Sequence, residues 1–184
     1  MSEPKEGMLK LNIGAGHQKI NGFINIDADA SLEPDLVFDI TNKLPYATGH
    51  VDEIRCFHTI EHIKGAQHPQ IIEEFNRVLC KGGTLILAYP EAKECFEGWL
   101  TNKKGQRDFF EATILGRGLS YWDLHKTLMN SDLFIPLLRE YGFEVSRHIE
   151  KEQTFNTVLI CRKVFSLQTR ESLFRKELLE CKIA

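Results

Sequence analysis

Short apolar runs alternate with turn residues through the first half of the chain. Five of the runs have the length and composition of β-strands: residues 8–13, 23–26, 36–38, 51–57 and 84–89. A helical spacing of apolar residues appears at 69–79, between the fourth and fifth runs. Strands that alternate with helices in this way are typical of an α/β fold built on a parallel sheet.

Local signals mark the ends of the helix at 69–79. Pro69 suits its first position, and Gly82 with Gly83 is expected to end it. The second half of the chain predicts, in order, a helix, two strands and an amphipathic helix: residues 131–141, 143–148, 157–164 and 166–184. The expected sheet therefore has seven strands.

Composition agrees with a globular domain and limits the kind of partner. The chain has 184 residues, a usual length for one domain, and 42% of them are hydrophobic and 27% charged. The formal net charge is −3 and no basic stripe is present, which argues against a nucleic-acid partner. We therefore expect one domain over residues 1–184 and a small-molecule partner.

Cysteine usage and hydropathy predict a cytoplasmic protein. The five cysteines include no CxxC pair, so we expect free thiols in a reducing compartment and predict no metal site. Residues 1–7 are polar and lack the apolar stretch of a secretion signal. The longest clean apolar run, at 85–89, is too short to span a bilayer, so no membrane partner is expected.

Candidate chemistry lies at the ends of the first three predicted strands. Gly14 and Gly16 flank Ala15, so the backbone there can bend sharply and come close to a ligand. Asp27 follows the second strand and can accept hydrogen bonds from both hydroxyls of a ribose. Asp39 ends the third strand and can accept one from an adenine amino group. Because ligands bind at the carboxyl ends of strands in doubly wound folds, these residues predict a nucleoside site.

The spacing disfavours a dinucleotide such as NAD. Lys19 stands where the dinucleotide fingerprint has its third glycine, and Asp27 follows Gly16 by 11 residues instead of about 20. Residues 17–23 leave room for little more than one or two helical turns, whereas a pyrophosphate needs a helix N-terminus at this point. A cofactor with adenosine and no phosphate is favoured, and S-adenosylmethionine is the candidate.

The same residues belong to a longer pattern that resembles a known family. The blocks that begin at Leu11 (Leu-Asn-Ile-Gly-Ala-Gly) and Gly22 (Gly-Phe-Ile-Asn-Ile-Asp) look like the opening of class I S-adenosylmethionine-dependent methyltransferases with a shortened first helix. Later blocks are similar to the same family: Asp39-Ile40, Ile60-Glu61-His62, and residues 74–79 followed by Gly82-Gly83-Thr84. The likeness covers residues 8–90 and is strongest to the small, single-domain methyltransferase type 11 group.

The resemblance implies a fold, a cofactor and its contacts. The fold is Rossmann-like and doubly wound, with a mostly parallel seven-stranded sheet and an antiparallel final strand. The cofactor is S-adenosylmethionine, and residues 8–90 form the half that binds it. The implied contacts are Gly14, Ala15 and Gly16 at the methionine part, Asp27 at the ribose, Asp39 and Ile40 at the adenine, and His58 beside the sulfonium.

The acceptor is expected to contact a different segment, residues 91–130, which we interpret as a cap on the acceptor side. An oxygen or nitrogen nucleophile must lose a proton, and a histidine suits that role. His125 in the cap is the first candidate and His62 the second. Parts of residues 115–126 look like relatives that modify sugars, which implies a small polar acceptor.

Two other functions stay open. The domain could bind S-adenosylmethionine or a partner without catalysis, for example as a homodimer through the helix at 166–184. A nicotinamide-dependent oxidoreductase is the second, disfavoured by Lys19. The aromatic residues of the cap are expected to pack more than to bind: Trp99, Phe109, Phe110, Tyr121 and Trp122.

Overall fold

Strands and helices alternate along the chain in a computed structural model that describes residues 8–150 and 155–165. The strands are β1 (Lys10–Ile13), β2 (Ile24–Asp27), β3 (Leu36–Val37), β4 (Val51–Phe57), β5 (Leu79–Pro90), β6 (Phe143–Glu150) and β7 (Asn156–Lys163). The helices are α1 (His68–Val78), α2 (Ala92–Leu100), α3 (Arg107–Leu115) and α4 (Ser131–Glu140). The helix expected at 166–184, and the dimer contact through it, lie outside the described residues.

All seven strands join one sheet in the order β3-β2-β1-β4-β5-β7-β6. β7 runs antiparallel to both of its neighbours, β5 and β6, and the other pairs are parallel. The predicted Rossmann-like sheet with an antiparallel final strand is therefore confirmed. Ile13 pairs with Ile26 on one side and Cys56 on the other, so β1, β2 and β4 end level with one another.

The sheet has buried strands at its centre and helices packed on it. Leu11 and Ile13 of β1 and Ile54 of β4 are fully buried. Such near-continuous apolar strands are usual where a parallel sheet is covered on both faces. The apolar face of α1 packs into the same core through Ile71, Ile72, Phe75 and Val78. Burial of these side chains is the main driving force that holds the sheet and α1 together.

Helix α1 ends earlier than the glycines predict. It stops at Val78, Leu79 is extended, and Gly82 with Gly83 lies inside β5. Gly82 has φ +77° and sits where the pairing of β5 with β4 shifts register. Its positive φ, which glycine adopts at little cost, therefore forms an irregularity in a strand rather than a helix C-cap.

The shortened first helix is also a correction, because residues 14–23, all of them described, contain turns and no helical residue. A buried polar network takes the place of helical hydrogen bonds. The Asn12 amide donates to the Gln18 carbonyl at 3.0 Å and to Asn25 Oδ1 at 2.9 Å. Asn25 Oδ1 also accepts the Ile20 N–H at 2.8 Å. Tertiary side-chain contacts thus satisfy backbone groups that a helix would otherwise pair.

Candidate functional site

The turn after β1 can be built only from glycine at position 14. Gly14 has φ +66°, and a Cβ there would stand 1.9 Å from Thr59 Oγ1. Thr59 is fixed in turn, since its hydroxyl donates to the carbonyls of Ile13 and Phe57. Gly16 differs: its φ is +52°, but a Cβ there would meet nothing within 4 Å. Thr59 therefore packs tightly against the turn at Gly14, whereas the space beside Gly16 is open.

Asp27 joins the end of β2 to this turn. Its carboxylate accepts the Gly16 N–H at 2.8 Å and the Asp29 N–H at 2.9 Å. The Ala15 N–H donates to the Ile26 carbonyl at 3.0 Å and ties the same two segments. A carboxylate offers about four acceptor positions, so roughly two remain for a ligand. Asp27 is thus both a structural residue of the turn and a free acceptor at the sheet edge.

Asp39 and Ile40 follow β3 at the same edge. Asp39 Oδ1 accepts the backbone N–H and the hydroxyl of Thr41, at 2.9 and 2.8 Å, in a local turn. Asp39 is exposed, whereas Ile40 is buried. A cleft of about 230 Å³ lies between residues 40–48 and α1, but of the predicted cofactor residues it contains only Ile40. Apart from Ile40, the candidate nucleoside contacts therefore lie at the sheet edge, outside this cleft.

His58 ends β4 in a strained conformation. Its φ is +51°, a region that costs a non-glycine residue about 1–2 kcal/mol. Its N–H donates to the Ala88 carbonyl at 2.8 Å, and Nε2 lies 3.4 Å from Asn156 Nδ2. The side chain is half exposed, and Nδ1 lies 3.4 Å from Glu61 Oε1. Strain of this kind concentrates at functional sites.

Both candidate proton acceptors belong to one cluster. The rings of His62 and His125 meet edge to face with their centroids 4.8 Å apart. Glu61 joins them: one ligand atom from each of the three side chains lies within 4.8 Å of the others. The Glu61 side chain is 1% exposed, and neither of its oxygens has a hydrogen-bond partner among the described residues. We call Glu61, His62 and His125 the EHH cluster.

Backbone hydrogen bonds hold the cluster in shape. The N–H groups of Lys126 and Thr127 both donate to the Glu61 carbonyl, at 2.8 and 3.1 Å. His62 Nδ1 lies 3.2 Å from the Leu124 carbonyl. Burial lowers the pKa of His125, and the neighbouring Glu61 carboxylate opposes that shift. The imidazole of His125 is therefore neutral at pH 7 and has a lone pair to offer.

Sequence reasoning missed Glu61 and misjudged three aromatic residues. Ile60-Glu61-His62 belongs to the family resemblance, but glutamate is rarely buried, so the local sequence assigns Glu61 no role in a site. Of the aromatic residues in the cap, Phe110 is buried as expected. Phe109, Tyr121 and Trp122 are 51%, 66% and 42% exposed, because the short helix α3 and the 3₁₀ turn at Tyr121–Asp123 leave them at the surface. For these three residues the packing interpretation is wrong.

The sheet order, the glycine turn after β1 and the acidic residue at the end of β2 agree with the resemblance to class I S-adenosylmethionine-dependent methyltransferases. Within that class, residues 19–87 match the family model described as "Methyltransferase domain". This match agrees with the resemblance to the methyltransferase type 11 group that the sequence indicates. No curated protein matches the chain.

Solved methyltransferase structures share this fold at low sequence identity. A S-adenosylmethionine-dependent methyltransferase from Methanosarcina mazei is 18% identical over 85% of this chain and 92% of its own, with a TM-score of 0.62. A Thermotoga maritima methyltransferase, described as a possible histamine N-methyltransferase, is 19% identical over 86% and 83%, with a TM-score of 0.57. A methyltransferase from Haloferax volcanii in complex with its activator Trm112 is 15% identical over 87% and 84%, with a TM-score of 0.56.

S-adenosylmethionine is the cofactor of this class, and the residues at the sheet edge fit it. Gly16 leaves open space where a side chain would stand, which suits a ligand in close contact with backbone. Asp27 keeps acceptor positions for ribose hydroxyls, and Asp39 Oδ2 has no protein donor in the described part of the chain. None of the helices described is long and apolar enough to cross a bilayer.

Proposed function

We propose that the protein transfers the methyl group of S-adenosylmethionine to an oxygen or nitrogen of a small polar acceptor, with a sugar as the first candidate. One observation carries the proposal. The glycine turn with Asp27, and the His62–His125 pair, lie at the same carboxyl edge of the sheet. In support, Thr59, which precedes the turn that carries His62, contacts Gly14 and donates to the Ile13 carbonyl at the proposed cofactor turn.

The proposed cofactor contacts follow the strand ends in order. Gly14, Ala15 and Gly16 contact the methionine part, and Asp27 accepts from the ribose. The adenine lies between Asp39 and Ile40, and His58 borders the sulfonium. The level ends of β1, β2 and β4 support this order, since they bring residues that are distant in sequence to one edge.

The acceptor is proposed to bind against residues 91–130. A sulfonium methyl is already activated, so the protein's main task is to align the nucleophile, the methyl carbon and the sulfur. The nucleophile also loses a proton, which we assign to His125, with His62 as the alternative. The lowered pKa of His125 supports this assignment because a neutral imidazole is needed to accept a proton.

Location and domain boundaries remain sequence-based proposals. Within the described residues, Cys56, Cys80, Cys95 and Cys161 form no disulfide, which supports a reducing compartment such as the cytoplasm. We keep one domain over residues 1–184, with residues 8–90 for the cofactor and 91–130 for the acceptor.

Turnover with labelled cofactor tests the proposal. The protein is incubated with methyl-labelled S-adenosylmethionine and panels of sugars and small amines, and products are identified by mass spectrometry. His125→Gln should lower kcat by about 10²–10⁴-fold with the cofactor Kd unchanged. His50→Gln, an exposed histidine before β4, is the matched control and should behave as wild type. Binding of cofactor without transfer to any acceptor would favour the catalytically silent alternative.

A further inference from the structure

We propose that the EHH cluster binds one divalent first-row transition-metal ion, such as Zn²⁺ or Mn²⁺. The three side chains supply two imidazole nitrogens and one carboxylate oxygen, all within 4.8 Å of one another. Glu61 and His62 come from the turn after β4, and His125 comes from the cap, so the site joins the two parts of the protein.

The state of Glu61 is the first argument. Its side chain is 1% exposed, and both oxygens lack a hydrogen-bond donor in the part of the chain that the structure describes. A buried carboxylate is strongly unfavourable unless a cation or several donors compensate it. His58 Nδ1, at 3.4 Å from Oε1, is the nearest group able to carry a positive charge, and it is half exposed. A metal ion between Glu61 and the two imidazoles would supply the missing compensation.

The orientation of the histidines is the second argument. His62 Nδ1 lies 3.2 Å from the Leu124 carbonyl, so an Nδ1–H donor there leaves the lone pair on Nε2. Histidines that bind metals usually donate their other ring N–H to a carbonyl or carboxylate in this way. Backbone bonds from Lys126 and Thr127 to the Glu61 carbonyl fix His125 beside Glu61 before any ion arrives.

The ligand set selects the kind of ion. Imidazole nitrogens suit zinc, iron, nickel and copper, and the Glu61 carboxylate with water also suits Mn²⁺, whereas Mg²⁺ and Ca²⁺ prefer oxygen ligands alone. With bonds of about 2.1 Å, tetrahedral ligand atoms lie roughly 3.4 Å apart, so ligand atoms now up to 4.8 Å apart would move closer by as much as about 1.4 Å. Three protein ligands leave at least one position open, as in catalytic sites.

This proposal stands apart from the proposed methyl transfer, because metal binding is measured on the protein without cofactor or acceptor. If the ion is bound during turnover, His62 and His125 would be ligands and not bases. The ion would then stabilise the acceptor's negative charge, and the acceptor's proton would pass to solvent water. Activity would then be lost on chelation and regained with metal, whereas direct proton transfer to His125 would not respond to a chelator.

Titration of the full-length protein tests the site. Wild type, stripped with a chelator, is titrated with Zn²⁺ and Mn²⁺ by calorimetry, with Mg²⁺ as the comparison ion. Mn²⁺ is included because Cys80, a partly exposed thiol, is a competing ligand for Zn²⁺. We expect one ion per chain, and at least about 100-fold weaker binding in Glu61→Gln and His125→Gln, since even a supporting residue is worth 10–100-fold. His50→Gln should bind as wild type does.

A second measurement on wild type alone keeps the proposal testable if the variants fail to fold. Zn²⁺ or Mn²⁺ should protect His62 and His125, but not His50, from acylation by diethyl pyrocarbonate, as read by peptide mass spectrometry. Absence of saturable binding to wild type would overturn the proposal. So would equal affinity in folded Glu61→Gln and His125→Gln, or metal that leaves His62 and His125 as reactive as before.

Discussion

At the scale of single residues, substitutions of the two glycines in the turn after β1 are expected to have different effects, one on folding stability and the other on cofactor binding. Gly14→Ala should lower the free energy of unfolding by about 2–3 kcal/mol, because its Cβ would overlap Thr59 and its φ is +66°. Gly16→Ala should cost only about 1 kcal/mol, since there is strain at φ +52° but no overlap. The new methyl group should nevertheless obstruct the cofactor groove.

Urea unfolding and titration with S-adenosylhomocysteine measure the two effects. The expected pattern is a larger loss of stability for Gly14→Ala and a larger loss of affinity for Gly16→Ala in a folded protein. A Gly16→Ala variant that binds as tightly as wild type would show that the cofactor does not approach this turn.

Asp27 is the residue where structure and binding are hardest to separate, because it accepts two backbone N–H groups and is also the proposed ribose acceptor. Asp27→Ala should weaken binding of S-adenosylhomocysteine by about 10–100-fold, the loss of charged hydrogen bonds worth roughly 1.5–3 kcal/mol. Calorimetric titration gives the Kd of the folded variant.

Asp35→Ala is the matched control for Asp27. Asp35 accepts the backbone and side-chain N–H groups of Asn25, at 2.7 and 2.8 Å, and precedes β3, at the opposite end of that strand from Asp39. If the two variants lose equal affinity, Asp27 acts through the loop alone and contributes no hydrogen bond to the ribose.

At the scale of elements, β7 holds the end of α1 through a buried lysine. Lys163 is 5% exposed, and its amine donates to the carbonyls of Asn76 and Leu79, at the last turn of α1. Lys163→Gln should lower the free energy of unfolding by about 2–3 kcal/mol, because buried carbonyls lose their donors. Exposed Lys81→Gln, on the same strand as Leu79, should change it little.

The same lysine should make stability depend on pH. Burial lowers the pKa of Lys163 from its ordinary value of 10.5, and the Cys80 thiol opposes the shift. Between the lowered pKa and 10.5 the unfolded chain binds more protons, so the contribution of Lys163 to stability rises as pH rises through that window. In urea unfolding from pH 7.5 to 10, the free energy of unfolding of wild type should increase relative to that of Lys163→Gln. A constant or shrinking difference would contradict the pKa shift.

Elements with local signals could be predicted from the sequence, and those set by distant contacts could not. Strand β4 has its predicted bounds, since the apolar residues Val51, Ile54 and Phe57 mark its two ends and its centre. The loop at 14–23 is different, because Asn12 and Asn25, which replace its helical hydrogen bonds, sit on strands. Nothing within the loop itself signals them.

The candidate site likewise has residues that local sequence signals predict and residues that only distant contacts bring together. Gly14, Gly16, Asp27 and Asp39 stand at strand ends, where a turn follows an apolar run, and could be named from their neighbours in sequence. Ile40 and His58 are implied only by the family resemblance. Glu61 and His125 are 64 positions apart, and their contact depends on how residues 124–127 fold back onto the turn after β4. Histidines could be proposed one by one from the sequence, but the cluster that they form with a buried carboxylate required the tertiary structure.

At the scale of the whole molecule, the fold predicts which adenosine cofactor is accepted. In dinucleotide-binding folds the helix that follows β1 points its N-terminus at the pyrophosphate. Here residues 14–23 contain no helix. S-adenosylhomocysteine should therefore bind and raise Tm, by an amount that grows with the ratio of its concentration to Kd. NAD should leave Tm unchanged at the same concentration. Thermal unfolding with either ligand, repeated with Asp27→Ala, decides the matter. An equal or larger Tm shift with NAD would contradict the assignment of S-adenosylmethionine and favour the nicotinamide-dependent alternative. If S-adenosylhomocysteine raises the Tm of Asp27→Ala as much as that of wild type, the cofactor assignment would stand, but its site would not include Asp27.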